Sequence, residues 1–160
     1  MMKIAIRFMS AEDRPRIAEI LRGTPEFKPF EAAVAEELID CYLENPFDSG
    51  YHILVAEIDS TVAGYVCYGP APLTEGTWDI YWVAVTREKR GQGIGSALMK
   101  SAEKEIVKAR GRLSIIETSS TPAYEKTRRF HISQGYEIIA RIPDFYVAGD
   151  DKLILRKRLS

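Results

Sequence analysis

Ile80-Tyr81-Trp82-Val83-Ala84-Val85 runs through the charged turn Thr86-Arg87-Glu88-Lys89-Arg90 into Gly91-Gln92-Gly93-Ile94-Gly95-Ser96. The first six residues are apolar and rich in the β-branched and aromatic types that favour a strand. Glycines then fall at alternate positions, and an apolar pattern of helical period opens at Ile94. Strand, glycine loop and helix start together aim several backbone N–H groups at one anion. The glycines clear the approach, and the helix dipole adds partial positive charge. Arg87, Lys89 and Arg90 add formal charge at the same end. The loop from Arg90 to Ser96 therefore reads as a pyrophosphate cradle.

Two common cradles do not fit. A dinucleotide loop needs a third glycine, yet Ser96 stands three past Gly93 and Leu98 three past Gly95. A mononucleotide loop needs Gly-Lys-Ser/Thr, which is absent. What remains is Arg-x-x-Gly-x-Gly, on Arg90, Gly93 and Gly95. On that signature, its place after the apolar strand, and a later Phe130-His131-x-x-x-Gly135-Tyr136, the chain resembles the GNAT family of N-acetyltransferases. The resemblance covers most of the sequence. It implies an α+β fold: a mixed, largely antiparallel seven-stranded sheet with about four helices in three layers. It also implies acetyl-CoA as co-substrate and a primary amine, of a small molecule or peptide, as acceptor.

The rest of the chain agrees with one such domain over residues 1–160. Its 160 residues are 46% hydrophobic and 28% charged, with a formal net charge of −1. That balance gives no reason to expect nucleic acid or an anionic membrane as partner. Two histidines and two separated cysteines offer no metal-ligand spacing. Cys41 and Cys67 lie in apolar patterns and read as buried, reduced thiols. No apolar run reaches membrane-span length, and the first residues are too soon polar for a leader, so a cytoplasmic protein is expected.

Taken in order, Ile4–Phe8 alternate as a strand, and Ser10-Ala11-Glu12-Asp13 looks like a capping box before a helix that stops at Gly23. A second helix follows Pro29, with Phe30, Val34, Leu38 and Tyr42 as its apolar stripe and Glu31, Glu36, Glu37 and Asp40 on the opposite face. A hairpin comes next, over 51–57 and 61–68. The helix from Ile94 ends before Gly111, a strand covers 113–118, and Thr121-Pro122 opens a helix closed by Gly135. Strands over 136–142 and 152–159 finish the chain, with a loop around Asp144-Phe145-Tyr146 between them.

For the cofactor, the resemblance implies amides of Arg90, Gly91, Gln92, Gly93, Ile94, Gly95 and Ser96 on the pyrophosphate. It implies backbone of Val83, Ala84 and Val85 along the pantetheine arm, with a Val83 N–H facing the thioester oxygen. Asp79 is the expected base, since a carboxylate within an aromatic strand is unusual for packing and relatives carry a glutamate there. Counting by twos places Asp79, Tyr81 and Val83 on one strand face. His131 stands where relatives have a tyrosine acid, and imidazole with its ordinary pKa of about 6.5 would donate near neutrality. Tyr124, where relatives often have asparagine, lies two turns back on the same face. Tyr146 and the segment from Gly23 to Phe30 are expected at the acceptor pocket. Because the usual tyrosine is missing, an acyl-CoA-binding module with impaired catalysis is the alternative. Relatives are often homodimers.

Overall fold

The computed structural model describes residues 3–160. Seven strands form one sheet in the order β1-β2-β3-β4-β5-β7-β6. They are β1 (Ile4–Phe8), β2 (His52–Ile58), β3 (Thr61–Pro70), β4 (Thr77–Val85), β5 (Leu113–Ser119), β6 (Glu137–Val147) and β7 (Asp150–Arg158). Four helices flank it: α1 (Arg14–Arg22), α2 (Pro29–Glu44), α3 (Ile94–Lys108) and α4 (Glu125–Ser133). All neighbouring strands are antiparallel except β4 and β5. The expected α+β architecture is therefore the one found.

Local sequence explains the element ends. Ser10 N–H donates to Asp13 Oδ2 at 2.8 Å, the back half of a capping box, and a 3-10 turn over Ala11–Asp13 leads into α1. Arg7 locks that corner by donating both guanidinium arms to Asp13 and reaching Glu57 on β2. Pro29 opens α2 at its first position, where a missing N–H costs nothing.

The sheet separates two apolar layers. On one side α3 lays Ile94, Leu98, Met99, Ala102 and Ile106 over Leu54, Val66, Tyr68 and Ile80. On the other, α1 and α2 lay Ile17, Leu21, Ala35 and Ile39 over Ile53, Val55, Tyr65 and Cys67.

Four expectations need correcting. The buried face of α2 is Ala32, Ala35, Ile39 and Tyr42; of the expected stripe only Tyr42 is in the core, while Phe30 is 65% and Val34 46% exposed. Cys67 is buried, but Cys41 is exposed on α2. The segment around Asp144-Phe145-Tyr146 is strand, not loop: β6 continues through it, slipping register between Ile142 and Val147. Pro143 is tolerated there because β6 is the sheet's edge. Finally, β4 begins at Thr77 and carries a bulge. Cys67 pairs with Trp82 and Tyr68 with Ile80, which leaves Tyr81 as the extra residue. The bulge shifts the alternation by one. Ile80 and Val83 pack on the α3 side, whereas Trp82 and Ala84 pack with α1 and α2. Asp79, next to Ile80, therefore faces away from Val83 rather than sharing its face.

Candidate active site

The parallel pairing of β4 with β5 runs only from Thr77↔Leu113 to Ile80↔Ile116. Beyond it the two strands part, so one edge of β4 from Tyr81 to Val85 has no strand partner. A cleft of about 790 Å³ opens at that fork. Asp79, Tyr81, Trp82 and Val83 of β4 line it, with Ile115 to Ser119 of β5. The segment ahead of α2 contributes Glu26, Phe27 and Lys28, and α4 with its approach contributes Tyr124, Thr127 and His131. Tyr146 of β6 lines it as well. The cleft thus gathers Asp79, Tyr124, His131 and Tyr146, residues far apart in sequence.

The glycine loop lies just past the end of β4. Gly91 and Gly93 have φ of 78° and 83°, and Gly93 caps α3 in the left-handed region. A side chain at either would be strained, although nothing lies within 4 Å of where a Cβ would stand. The first bond of α3 runs from Ala97 N–H to the Gly93 carbonyl at 3.0 Å. Among the described residues, no protein acceptor takes the N–H groups of Gly91, Gln92, Gly93, Ile94, Gly95 or Ser96. Six consecutive free amides at a helix N-terminus fit a diphosphate. Gly95 has a different reason to be glycine: a Cβ there would stand 3.2 Å from the Phe130 ring. Arg90 is engaged elsewhere. Its guanidinium donates to both Glu26 carboxylate oxygens, at 3.1 and 3.2 Å. Burial raises the Glu26 carboxyl, but the bond from Arg90, a backbone hydrogen bond and the charges of Arg90 and Arg87 together outweigh it and hold it below the usual range. Phe27 then meets Trp82 edge-on at 5.2 Å, which fixes this segment against β4.

The Asp79 carboxylate accepts no hydrogen bond and forms no ion pair among the described residues. Burial, and then the charge of Glu117, raise its carboxyl above the ordinary range. His131 is 5% exposed and its Nδ1 has no partner. Burial pushes its pKa down to about 4. At pH 7 only about one ring in a thousand is then an imidazolium. The reading of His131 as a proton donor took the ordinary pKa, and burial removes that premise. Tyr124 donates its phenol to Glu31 Oε2 at 2.8 Å, so its pKa is raised by burial and by that carboxylate.

Sequence reasoning missed Glu31 as a cleft residue, because it sat among the charges assigned to the outer face of α2. It also missed Val34 and Leu38, which line the cleft instead of the core together with Phe30, the end of the segment expected there. The signal was present: the small residues Ala32 and Ala35 mark the close-packed face. Among the described residues, no group of three His, Cys, Asp or Glu side chains is placed to hold a metal ion. Among the described residues no helix is long and apolar enough to cross a membrane.

Comparison with known proteins bears on this geometry. The model of the acetyltransferase (GNAT) family matches residues 14–136. An uncharacterized N-acetyltransferase of Methanocaldococcus jannaschii is 33% identical over 107 residues, 65% of this chain and 64% of that protein, a little under two thirds of its length. A crystal structure from Desulfovibrio desulfuricans, described as a GNAT-family acetyltransferase, superposes with a TM-score of 0.95 at 39% identity over 99% of this chain and 100% of that one. PaiA N-acetyltransferase of Thermoplasma acidophilum, solved with coenzyme A, shares the fold at 19% identity, with a TM-score of 0.77 over 98% and 99% of the two chains.

Proposed function

The chain belongs to the GNAT family of acetyltransferases, and from that premise we propose that it transfers an acetyl group from acetyl-CoA to a primary amine of a small molecule or peptide. The observation that carries the cofactor half is the run of six unpartnered amides from Gly91 to Ser96. These residues would hold the diphosphate, with the helix dipole and Arg87 and Lys89 behind them. Backbone of Val83, Ala84 and Val85, on the unpaired edge of β4, would hold the pantetheine arm as an added strand. When bound, acetyl-CoA supplies the acyl group as a thioester and leaves as a thiol.

Asp79 takes the proton that the ammonium must lose before it can attack. Its raised carboxyl, free of other partners, makes it a better acceptor than a solvated aspartate. His131 is neutral at working pH and offers a hydrogen bond without giving up its proton. An ordinary thiol, with a pKa of about 8.5, departs as thiolate and takes its proton from solvent. Tyr124 holds Glu31 in place across the cleft rather than serving as acid.

The neutral His131 also favours a second reading, an acyl-CoA-binding module with little turnover. Release of free thiol from acetyl-CoA in the presence of an amine panel separates the two. Acetyl transfer predicts amine-dependent release. A thermal shift with coenzyme A but no release with any amine would favour the module. Gly93→Val serves as the control: coenzyme A affinity should fall by about a hundredfold, because a β-branched residue resists the left-handed backbone at φ 83° and would turn the amides off the diphosphate. Unchanged affinity would remove the cradle.

A further inference from the structure

We infer that the acceptor is a small monoamine with an apolar aryl or alkyl body, laid against Phe30, Val34 and Leu38 with its ammonium toward Asp79. This rests on the acetyl-transfer reading and goes on to name the acceptor class. The first support is where the stripe of α2 points. An apolar row at every fourth position ordinarily packs into the core. Here Ala32, Ala35 and Ile39 take that place, and the larger row lines the cleft, Phe30 and Val34 being 65% and 46% exposed. Trp82 and Tyr146 line the same cleft. Large apolar side chains held open around a concave site fit a ligand's apolar surface.

Charge supplies the second support. Glu26, Glu31, Asp79, Glu117 and Asp150 line the cleft, against Lys28 as its one lysine among the described residues. Four of these carboxylates already have partners. Glu26 has Arg90 and Glu31 has Tyr124, while Glu117 has Lys152 at 2.9 Å and Asp150 accepts from Ser119 at 2.6 Å. Only Glu26 and Glu117 are paired with cations, and Asp79 alone has no partner of any kind, so it is the carboxylate free to receive an ammonium. A third, independent support is His131, more than nine-tenths buried and lining the cleft with Nδ1 unanswered. Such a group keeps its cost in the empty protein and recovers it with a ligand.

The same features select against other amines. A sugar amine would leave hydroxyls unpaired against Phe30, Val34 and Leu38, and a polyamine would lay its further ammonium groups along the same apolar row. The cleft of about 790 Å³ must also take the end of the cofactor arm, which favours a compact acceptor. In the transfer, the nitrogen–acyl bond forms and the carbon–sulfur bond breaks. The ammonium gives one proton to Asp79, which passes it to solvent, and the nitrogen loses a second as the amide forms; the sulfur leaves as thiolate and takes one proton from solvent, so amide, thiol and one net proton result.

The test uses the whole chain with phenethylamine and hexylamine against glucosamine and spermidine. Initial rates of thiol release are read with acetyl-CoA, and amine binding by calorimetry with coenzyme A bound. The apolar monoamines should exceed the polar pair in kcat/KM by about tenfold or more. Val34→Asp, on an exposed helix position, should raise KM for phenethylamine by about tenfold with coenzyme A affinity unchanged. Equal or better use of glucosamine or spermidine, or an unmoved KM in V34D, overturns the inference and leaves acetyl transfer standing. If coenzyme A does not bind and no amine releases thiol, both fall together.

Discussion

Two polar neighbourhoods lie one ring apart and are built on opposite terms. Around Tyr136, every polar side chain is answered. Its phenol donates to Glu103 Oε2 at 2.9 Å and lies 2.7 Å from Ser114 Oγ, and Lys157 Nζ meets the other Glu103 oxygen at 2.7 Å. The ring of His131 stands edge-on to Tyr136 at 6.1 Å, yet its Nδ1 has no partner, and Asp79 across the cleft has none either. Both regions bury a polar ring, Tyr136 at 2% and His131 at 5% exposure. A network that closes on itself ties β5, β7, α3 and Tyr136 together and has nothing left to offer. Atoms left open cost stability and are available to a substrate.

The sharpest break should come from Glu103→Ala. It strands Lys157 and removes the acceptor of Tyr136, so unfolding should become easier by about 3 to 5 kcal/mol. Denaturant titration measures this, while kcat/KM at a temperature where the variant is folded should change less than about twofold. A large kinetic effect with little loss of stability would erase the division between the two regions.

His131 gives a pH-dependent version. Its folded pKa of about 4 lies below its ordinary 6.5. Its contribution is therefore present above about pH 6.5 and lost as pH falls through 4, a difference of roughly 3 kcal/mol. His131→Leu should flatten the stability profile across that window, read from denaturant midpoints between pH 7 and 4. A profile as steep as the parent's would place the acid sensitivity elsewhere.

Asp79→Asn should show the smallest effect on the fold and a clear one on chemistry. Turnover should fall by about tenfold, most at low pH where neutral amine is scarce. The raised carboxyl means that ionised Asp79 weakens the fold above its folded pKa, so the neutral amide should leave the melting temperature unchanged or slightly higher. Full activity at every pH would take Asp79 out of the reaction.

How much of this was legible in the sequence follows from how local each signal is. The cradle was legible because glycine spacing and a helix start are written in adjacent residues. So was the order of elements, from Pro29, Gly111 and Gly135 at their bounds. The period of α2 was legible, but not which partner each of its faces would meet, and the Phe30 stripe was assigned to the core. The phase of β4 was hidden because one extra residue, Tyr81, is visible only against β3. Asp144 and Pro143 look like breakers, and an edge strand accepts them. The pKa of His131 depends on burial by distant segments, which no neighbour in sequence announces.

One further consequence concerns the margin of the sheet. Eleven residues of β6 run along it with Ile138, Ile139, Ile142 and Val147 in contact with water. Such a border invites strands from other chains to dock and extend the array. Pro143 brings no amide to that border. Asp144, at φ 55°, turns its own N–H inward to Asp151 at 2.8 Å. Lateral growth along this flank therefore meets a break halfway, and only the stretch from Glu137 to Ile142, with Arg141 and Glu137 on it, is left for an intruding strand to read.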